Sequence, residues 1–179
     1  NDRLAAVLQR ERIPFVRGPE ERLATRLLKA TDESRADAIV RITGDEALIN
    51  PDVVNEVVAE WRRDPVNYVS NIYPTRSWPE GLDSELLTRR LLEWLCEESG
   101  EAETSPSEWL WRNDILRARW NCVGLKPPDP VLPGLHWSVD TAEDLEGARR
   151  VYERLPEGFG WREVIEEFGA VSLPQIAKA

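Results

Sequence analysis

Leu4, Ala5, Val7 and Leu8 recur at helical spacing, and the apolar run at 13–16 is short and stopped by Gly18-Pro19, so the pattern predicts a helix over 2–11 and then a strand. Leu23, Leu27 and Leu28, with acids before them and Lys29 late, predict a second helix from 20 to about 35 whose charges suit its dipole. A buried strand at 38–42 ends in the polar turn Thr43-Gly44-Asp45. Asn50 and Pro51 supply an N-cap and a first-position proline for a helix whose apolar face is Val53, Val54, Val57, Val58 and Trp61, ending before Asp64-Pro65. A strand at 66–70 leads into a loop holding Pro74, Pro79 and Gly81. Leu86 and Leu87 mark another strand, and Thr88 caps a helix running to 98. The acidic stretch 97–107 reads as an exposed connection, Trp109 and Trp111 as a short helix, and 117–123 as a strand. Four prolines make 126–134 irregular before a compact strand at 135–139. Thr141 and Asp144 then give the S/T-x-x-D/E start of an amphipathic helix through Leu145, Ala148, Val151 and Leu155, and a last helix begins near Gly160-Trp161.

Short apolar strands alternating with amphipathic helices indicate one α/β domain, 1–179, around a mostly parallel sheet. Ligands of such sheets bind beyond the carboxyl ends of the strands, which selects Thr43-Gly44-Asp45 and Asp140-Thr141. Two aspartates from different strand ends suit magnesium, which takes oxygen ligands octahedrally and often only one or two from the protein. An ion held there would supply charge neutralisation for nucleotide phosphates during transfer at the α-phosphorus. The competing explanation is local: aspartate closes turns and caps helices for backbone reasons alone.

The charge balance of 23 Lys+Arg against 33 Asp+Glu, net −10, argues against a nucleic-acid binder, which needs a basic face to displace counterions. No apolar run approaches the ~20 residues of a membrane span, and the N-terminus lacks a signal-peptide layout, so the expectation is a cytoplasmic protein without membrane insertion. Cys96 and Cys122 show no CxxC spacing and read as idle or buried thiols. The single histidine, His136, lies in a predicted strand beside Trp137 and reads as a packed or edge residue, which disfavours a Ser-His-Asp or Cys-His triad. Neither G-x-G-x-x-G nor G-x-x-x-x-G-K-S/T is present to cradle phosphates. Most of the eight tryptophans are expected in the core, with Trp78, Trp109 and Trp111 as alternatives for a sugar-stacking or subunit surface. The absence of methionine suggests a sequence that is not a whole gene product.

Several segments, in order, resemble the cytidylyltransferase-type nucleotidyltransferases of the spore-coat polysaccharide biosynthesis group, relatives of the CMP-Kdo and CMP-acylneuraminate synthetases. Phe15-Val16-Arg17-Gly18 resembles V-F-R-G, and Val40-Arg41-Ile42-Thr43-Gly44-Asp45 resembles V-R-I-T-G-D. Tyr68-Val69-Ser70-Asn71 is similar to Y-V-S-N, Gly81-Leu82-Asp83 with Glu85 to G-L-D-V-E-V, and Trp111-Arg112-Asn113 to W-R-N. Trp137-Ser138-Val139-Asp140-Thr141-Ala142-Glu143-Asp144-Leu145 follows W-T-V-D-T-P-E-D-L. The resemblance implies a Rossmann-like three-layer sandwich and magnesium-dependent transfer of CMP from CTP to a sugar or sugar-acid oxygen, releasing pyrophosphate. Asp45 and Asp140 are then the catalytic and metal carboxylates, Arg26, Arg41, Thr43 and Gly44 the nucleotide contacts, and Asn71, Gly81, Asp83 and Glu85 the acceptor side. It also implies a homodimer.

The departures are as informative. The family's opening strand, its A-R-x-G-S-T-R-L-P-G-K loop, helix and second strand have no counterpart, so the N-terminal strand-loop-helix-strand unit is expected to be absent. Glu46-Ala47 stands where C-P is usual, Thr25 where an aspartate precedes the helix arginine, and Ser105 where R-E-H-V has its histidine. These leave open whether this chain alone is active. The alternatives are a non-catalytic or truncated binding and assembly module of the same fold, and a transferase using another base such as GTP.

Overall fold

The computed structural model describes residues 2–64, 66–98, 100–126, 132 and 134–178, so the expected irregular stretch around Pro127, Pro128, Pro130 and Pro133 lies largely outside the described residues. In chain order the elements are α1 (Asp2–Arg10), α2 (Leu23–Ser34), β1 (Ala38–Arg41), α3 (Pro51–Arg63), β2 (Tyr68–Ser70), β3 (Glu85–Thr88), α4 (Arg89–Glu97), α5 (Glu101–Thr104), α6 (Pro106–Trp111), α7 (Asp114–Arg119), β4 (Cys122–Gly124), α8 (Ala142–Arg154), α9 (Trp161–Phe168) and α10 (Leu173–Lys178). The strands form one sheet in the order β1-β3-β2-β4. In it β2 and β4 run parallel, pairing Tyr68 with Cys122, Val69 with Val123 and Ser70 with Gly124. The chain divides into two compact units, Asn1–Ile39 with Leu87–Arg119 and Val40–Leu86 with Trp120–Ala179. Among the described residues, no helix is long and apolar enough to cross a membrane.

In the first unit α1 forms as its spacing predicts but buries none of its residues. The expected strand at 13–16 is absent: Ile13 and Phe15 are exposed, and the segment has neither a sheet partner nor a covered face to hold it extended. In α2 the acids Glu20 and Glu21 precede the helix, and Arg35 closes it in the left-handed conformation. Thr88 caps α4 as predicted, and Leu91, Leu92 and Leu95 are buried. The stretch 97–107 is no exposed connection, since it holds α5 and the start of α6 and buries Ala102, Glu103, Pro106 and Ser107. Glu103 is covered because its charge is answered: Arg22 Nε donates to it at 2.8 Å, and Thr25 Oγ1 donates to the same oxygen. The strand expected from 117 is instead α7 up to Arg119, followed by β4 from Cys122. Arg117 lies over Trp111 and Arg119 over Trp94, while Trp94 and Trp109 stack at 5.5 Å, so these tryptophans serve an aromatic and cationic cluster.

The second unit carries the larger core. Asn50 caps α3 by accepting from the Asp52 amide at 2.9 Å, and Val53 and Val57 turn inward. Val53 joins Leu48, Trp78, Leu82, Trp137, Val151, Trp161, Leu173 and Ile176 in one cluster. Trp78 is fully buried, edge-on to Trp161 at 5.8 Å, which removes it from the candidate sugar-stacking surface. β1, expected to be buried, is only half-buried along its length. In α8 the capping box of Thr141 and Asp144 is as predicted, but the buried face is Asp144, Gly147, Ala148 and Val151, and Leu145 is exposed. α10, which the pattern did not announce, packs on α8 at Gly147, where a Cβ would stand 2.2 Å from Leu173 O.

The compact strand expected at 135–139 is reduced to a single parallel bridge between Glu80 and His136. Its backbone groups are divided among several partners. Glu80 N donates to Leu135 O at 2.9 Å and Trp137 N to Glu80 O at 2.7 Å. His136 N donates to Ser172 Oγ at 2.9 Å, Leu173 N to His136 O at 3.0 Å, and Val139 N to Asp45 O at 2.9 Å. Gly81 permits this approach: its φ is +103° and a Cβ there would stand 2.5 Å from the Trp137 carbonyl carbon.

Candidate functional site

The loop leaving β1 brings Thr43, Gly44, Asp45 and Glu46 together. Asp45 is half-buried, and its carboxylate has no partner among the described residues. Through the Asp45 O to Val139 N bond, this loop abuts the segment that carries Asp140. Gly44 is exposed, with open space around its Cβ position. Thr43 Oγ1 donates to Glu46 Oε1 at 2.8 Å. Glu46 itself is 6% exposed, and its Oε2 is buried without a hydrogen-bond partner among the described residues. Burial pushes its carboxyl up to about 8, with the charges of Asp83 and Asp45 adding to the effect against the Thr43 hydrogen bond and Arg41. The sequence pattern gave Glu46 no role; the Thr-x-x-Glu spacing from Thr43, which closes the turn, is the signal that could have found it.

At the other side of the site His136 stands between two acids. Its Nδ1 is 3.1 Å from Glu80 Oε2 and its Nε2 is 3.1 Å from Asp140 Oδ2. The hydrogen bond to Glu80 raises the imidazole pKa against the effect of burial, helped by the charges of Glu80, Asp144 and Asp140. His136 is half-buried in an isolated bridge, which fits the edge position expected for it, and its ring adds contacts to two acids. Asp140 is exposed, and it is Thr141 rather than Asp140 that caps α8. The Asp140 amide, the Thr141 amide and Thr141 Oγ1 all donate to Asp144 Oδ2, at 3.1, 2.7 and 2.8 Å. Burial would raise the Asp144 carboxyl, but these donors and His136 hold it below its ordinary value.

The residues expected on the acceptor side have internal partners. Glu85 is fully buried and receives the Arg41 guanidinium and the Tyr68 hydroxyl on its two oxygens. Asp83 takes a two-pronged ion pair from Arg76 at 2.6 and 2.8 Å. Asn71 is buried, its amide donating to Leu82 O at 2.7 Å and accepting from Ser84 N at 2.8 Å. Gly81 serves the backbone approach already described. Thus Arg41, Thr43, Gly44, Asp45, Asn71, Gly81, Asp83, Glu85 and Asp140 all lie in the second unit, where Arg76 and Glu80 join them.

Arg26 belongs to the first unit. It lines a cleft of ≈570 Å³ with Leu4, Leu8, Phe15, Val16 and Arg17, and its Nη1 donates to Glu20 O at 3.0 Å. Glu20 also lines this cleft, and Arg17 is already ion-paired with Asp2 at 2.9 Å.

Among the described residues no group of three or more His, Cys, Asp or Glu side chains could hold a metal ion, and Cys96 and Cys122 form no disulfide. The hard oxygen donors of Asp45 and Asp140 fit a magnesium ion that draws its other ligands from water and phosphate. The Asp45 carboxylate and Asp140 Oδ1 have no partner among the described residues, while Asp140 Oδ2 is paired with His136 Nε2 at 3.1 Å.

No family model matches the chain. It is 27% identical over 133 residues to an uncharacterised protein of Methanocaldococcus jannaschii, a match covering 73% of this chain and 52% of that protein. The chain therefore spans about half the length of the curated relative it matches. It superposes on a cytidylyltransferase of Leptospira borgpetersenii serovar Hardjo-bovis with a TM-score of 0.83 and 22% identity, over 98% of this chain and 73% of that one. The fold is accordingly the Rossmann-like α/β fold of the cytidylyltransferase type.

Proposed function

We propose that this chain belongs to a nucleotidyltransferase that moves CMP from CTP to an oxygen of a sugar or sugar acid in surface polysaccharide or glycan biosynthesis. The spore-coat group, with the CMP-Kdo and CMP-acylneuraminate synthetases, is its counterpart in chemistry, and the cytoplasm its place of work. The observation that supports this reading is the Val139 N to Asp45 O bond of 2.9 Å, which ties the Asp45 loop to the segment leading to Asp140 within a cytidylyltransferase-type fold.

The reaction joins the acceptor oxygen to the α-phosphorus and breaks the bond to the β-phosphate oxygen. Pyrophosphate leaves, and the acceptor proton passes to solvent. A magnesium ion bound by Asp45 and Asp140 supplies charge neutralisation for the triphosphate. The chain's own contribution is positioning and electrostatics. Thr43 and Gly44 shape the loop that presents Asp45, and Arg41, the last residue of β1, pairs with Glu85. The 81–85 segment, held by Asn71 and Arg76, serves the acceptor.

A second reading, a binding or assembly module, is favoured by one observation: Asn71, Asp83 and Glu85 are engaged inside the protein. Calorimetric titration of CTP with magnesium, with GTP and ATP as controls, separates the two. Magnesium-dependent CTP binding that disappears in Asp45→Ala and in Asp140→Ala is the expected result. A folded chain that binds no nucleotide would show that this chain is not catalytic alone, and the longer gene product would be tested next.

A further inference from the structure

We propose that His136 is a positioning residue for Asp140: its imidazole, anchored by Glu80, holds the Asp140 carboxylate in place. This rests on the reading of Asp45 and Asp140 as the cation-binding carboxylates.

Each ring nitrogen of His136 faces a carboxylate oxygen at 3.1 Å, so the ring bridges Glu80 and Asp140. A bridge steers a side chain only if its own footing is fixed, and the footing here is unusually well tied. His136 N and O bond to Ser172 and Leu173, Leu135 and Trp137 bond to the two backbone groups of Glu80, and the Trp137 indole donates to Val171 O at 2.8 Å. The Asp140 side chain is 57% exposed, so without a partner it would sample several rotamers, and ordering it on binding would cost affinity. Contact with His136 at Oδ2 removes part of that freedom and leaves Oδ1 available. Ligating carboxylates are characteristically held by such outer partners, whose loss weakens metal affinity by about 10–100-fold.

The test uses MnCl2 alone as the probe, titrated into the chain and followed by electron paramagnetic resonance. Asp140→Asn should remove most of the binding. His136→Asn, whose amide mimics Nδ1 and reaches only towards Glu80, should weaken it about 10-fold. His136→Gln, whose amide occupies the place of Nε2, should restore most of the wild-type affinity. A purely structural role would not distinguish the two amides, and circular dichroism melts confirm that both variants fold. The metal-free chain gives a second readout, because His136 is the single histidine and its imidazole ¹⁵N resonances are unambiguous. They should move in Asp140→Asn and in Glu80→Gln.

Full Mn²⁺ affinity in both His136 variants, alongside a weakened Asp140→Asn, would overturn the positioning role and leave the carboxylate site standing. Ring resonances that ignore Asp140→Asn would overturn it as well. If Asp45→Asn and Asp140→Asn both kept full Mn²⁺ affinity while the resonances still responded, the cation-site reading itself would fall, and the positioning role with it.

Discussion

Glu46 is the residue whose chemistry departs most from its ordinary range. Its carboxyl sits at about 8 against an ordinary 4.5, because burial disfavours the charged form. The folded protein therefore binds a proton that the unfolded chain releases. Stability is greatest below the unfolded value and falls as pH rises through the window from 4.5 to about 8. Glu46→Gln keeps an acceptor for Thr43 and removes the charge. It should leave stability nearly unchanged at about pH 5 and raise it by about 2 kcal/mol or more at about pH 9, since each tenfold change in proton affinity on folding is worth ~1.4 kcal/mol. Urea denaturation at the two pH values checks this, and equal losses at both would show that Glu46 does not ionise in this window. The loop after β1 that carries Asp45 was legible in the sequence, whereas Asp140 follows a segment that forms a single bridge instead of the expected strand. The setting of His136 was not legible, because it depends on Glu80, 56 residues away. Glu85 and Asn71 were recognisable as polar residues near a strand, but their partners Arg41, Tyr68, Leu82 and Ser84 meet them only in the folded protein.

Among elements, those that carry their own stop and start chemistry were the legible ones. Asn50-Pro51, Thr88 and Thr141 with Asp144 fixed the beginnings of α3, α4 and α8 as expected. The segments 13–16 and 135–139 resembled strands because a short apolar run looks alike whether it finds a sheet, a single bridge or nothing. For α8, Asp144→Ala deletes the acceptor of three donors, including the Asp140 amide. A lost cap costs about 1–2 kcal/mol, and the expected drop in urea stability should be accompanied by weaker Mn²⁺ binding. A drop in stability with unchanged binding would show that the helix start and Asp140 act independently.

For the whole molecule, the net charge of −10 is unevenly divided. The first unit holds 13 Lys and Arg against 14 Asp and Glu, and the second holds 10 against 19, so the unit with the candidate site carries most of the excess. A triphosphate meets a repulsive field there unless a cation intervenes. With EDTA in place of magnesium, CTP binding should fall at least about tenfold, and the residual binding should strengthen as KCl rises, because salt then screens repulsion. Residual binding that weakens with salt would instead identify a basic contact surface. Composition announced the sign of this charge but not its division between the units, which only the path of the chain reveals. The junction of Asp140 with the capping box of α8 also ties two equilibria together. Whatever binds at Asp140 draws on a helix start already in place, and mass action makes that linkage reciprocal. Occupancy of the site and the unwinding of the first turn of α8 are then opposing reactions of one cycle, so a ligand that touches no helical residue would still slow amide exchange along its leading turn.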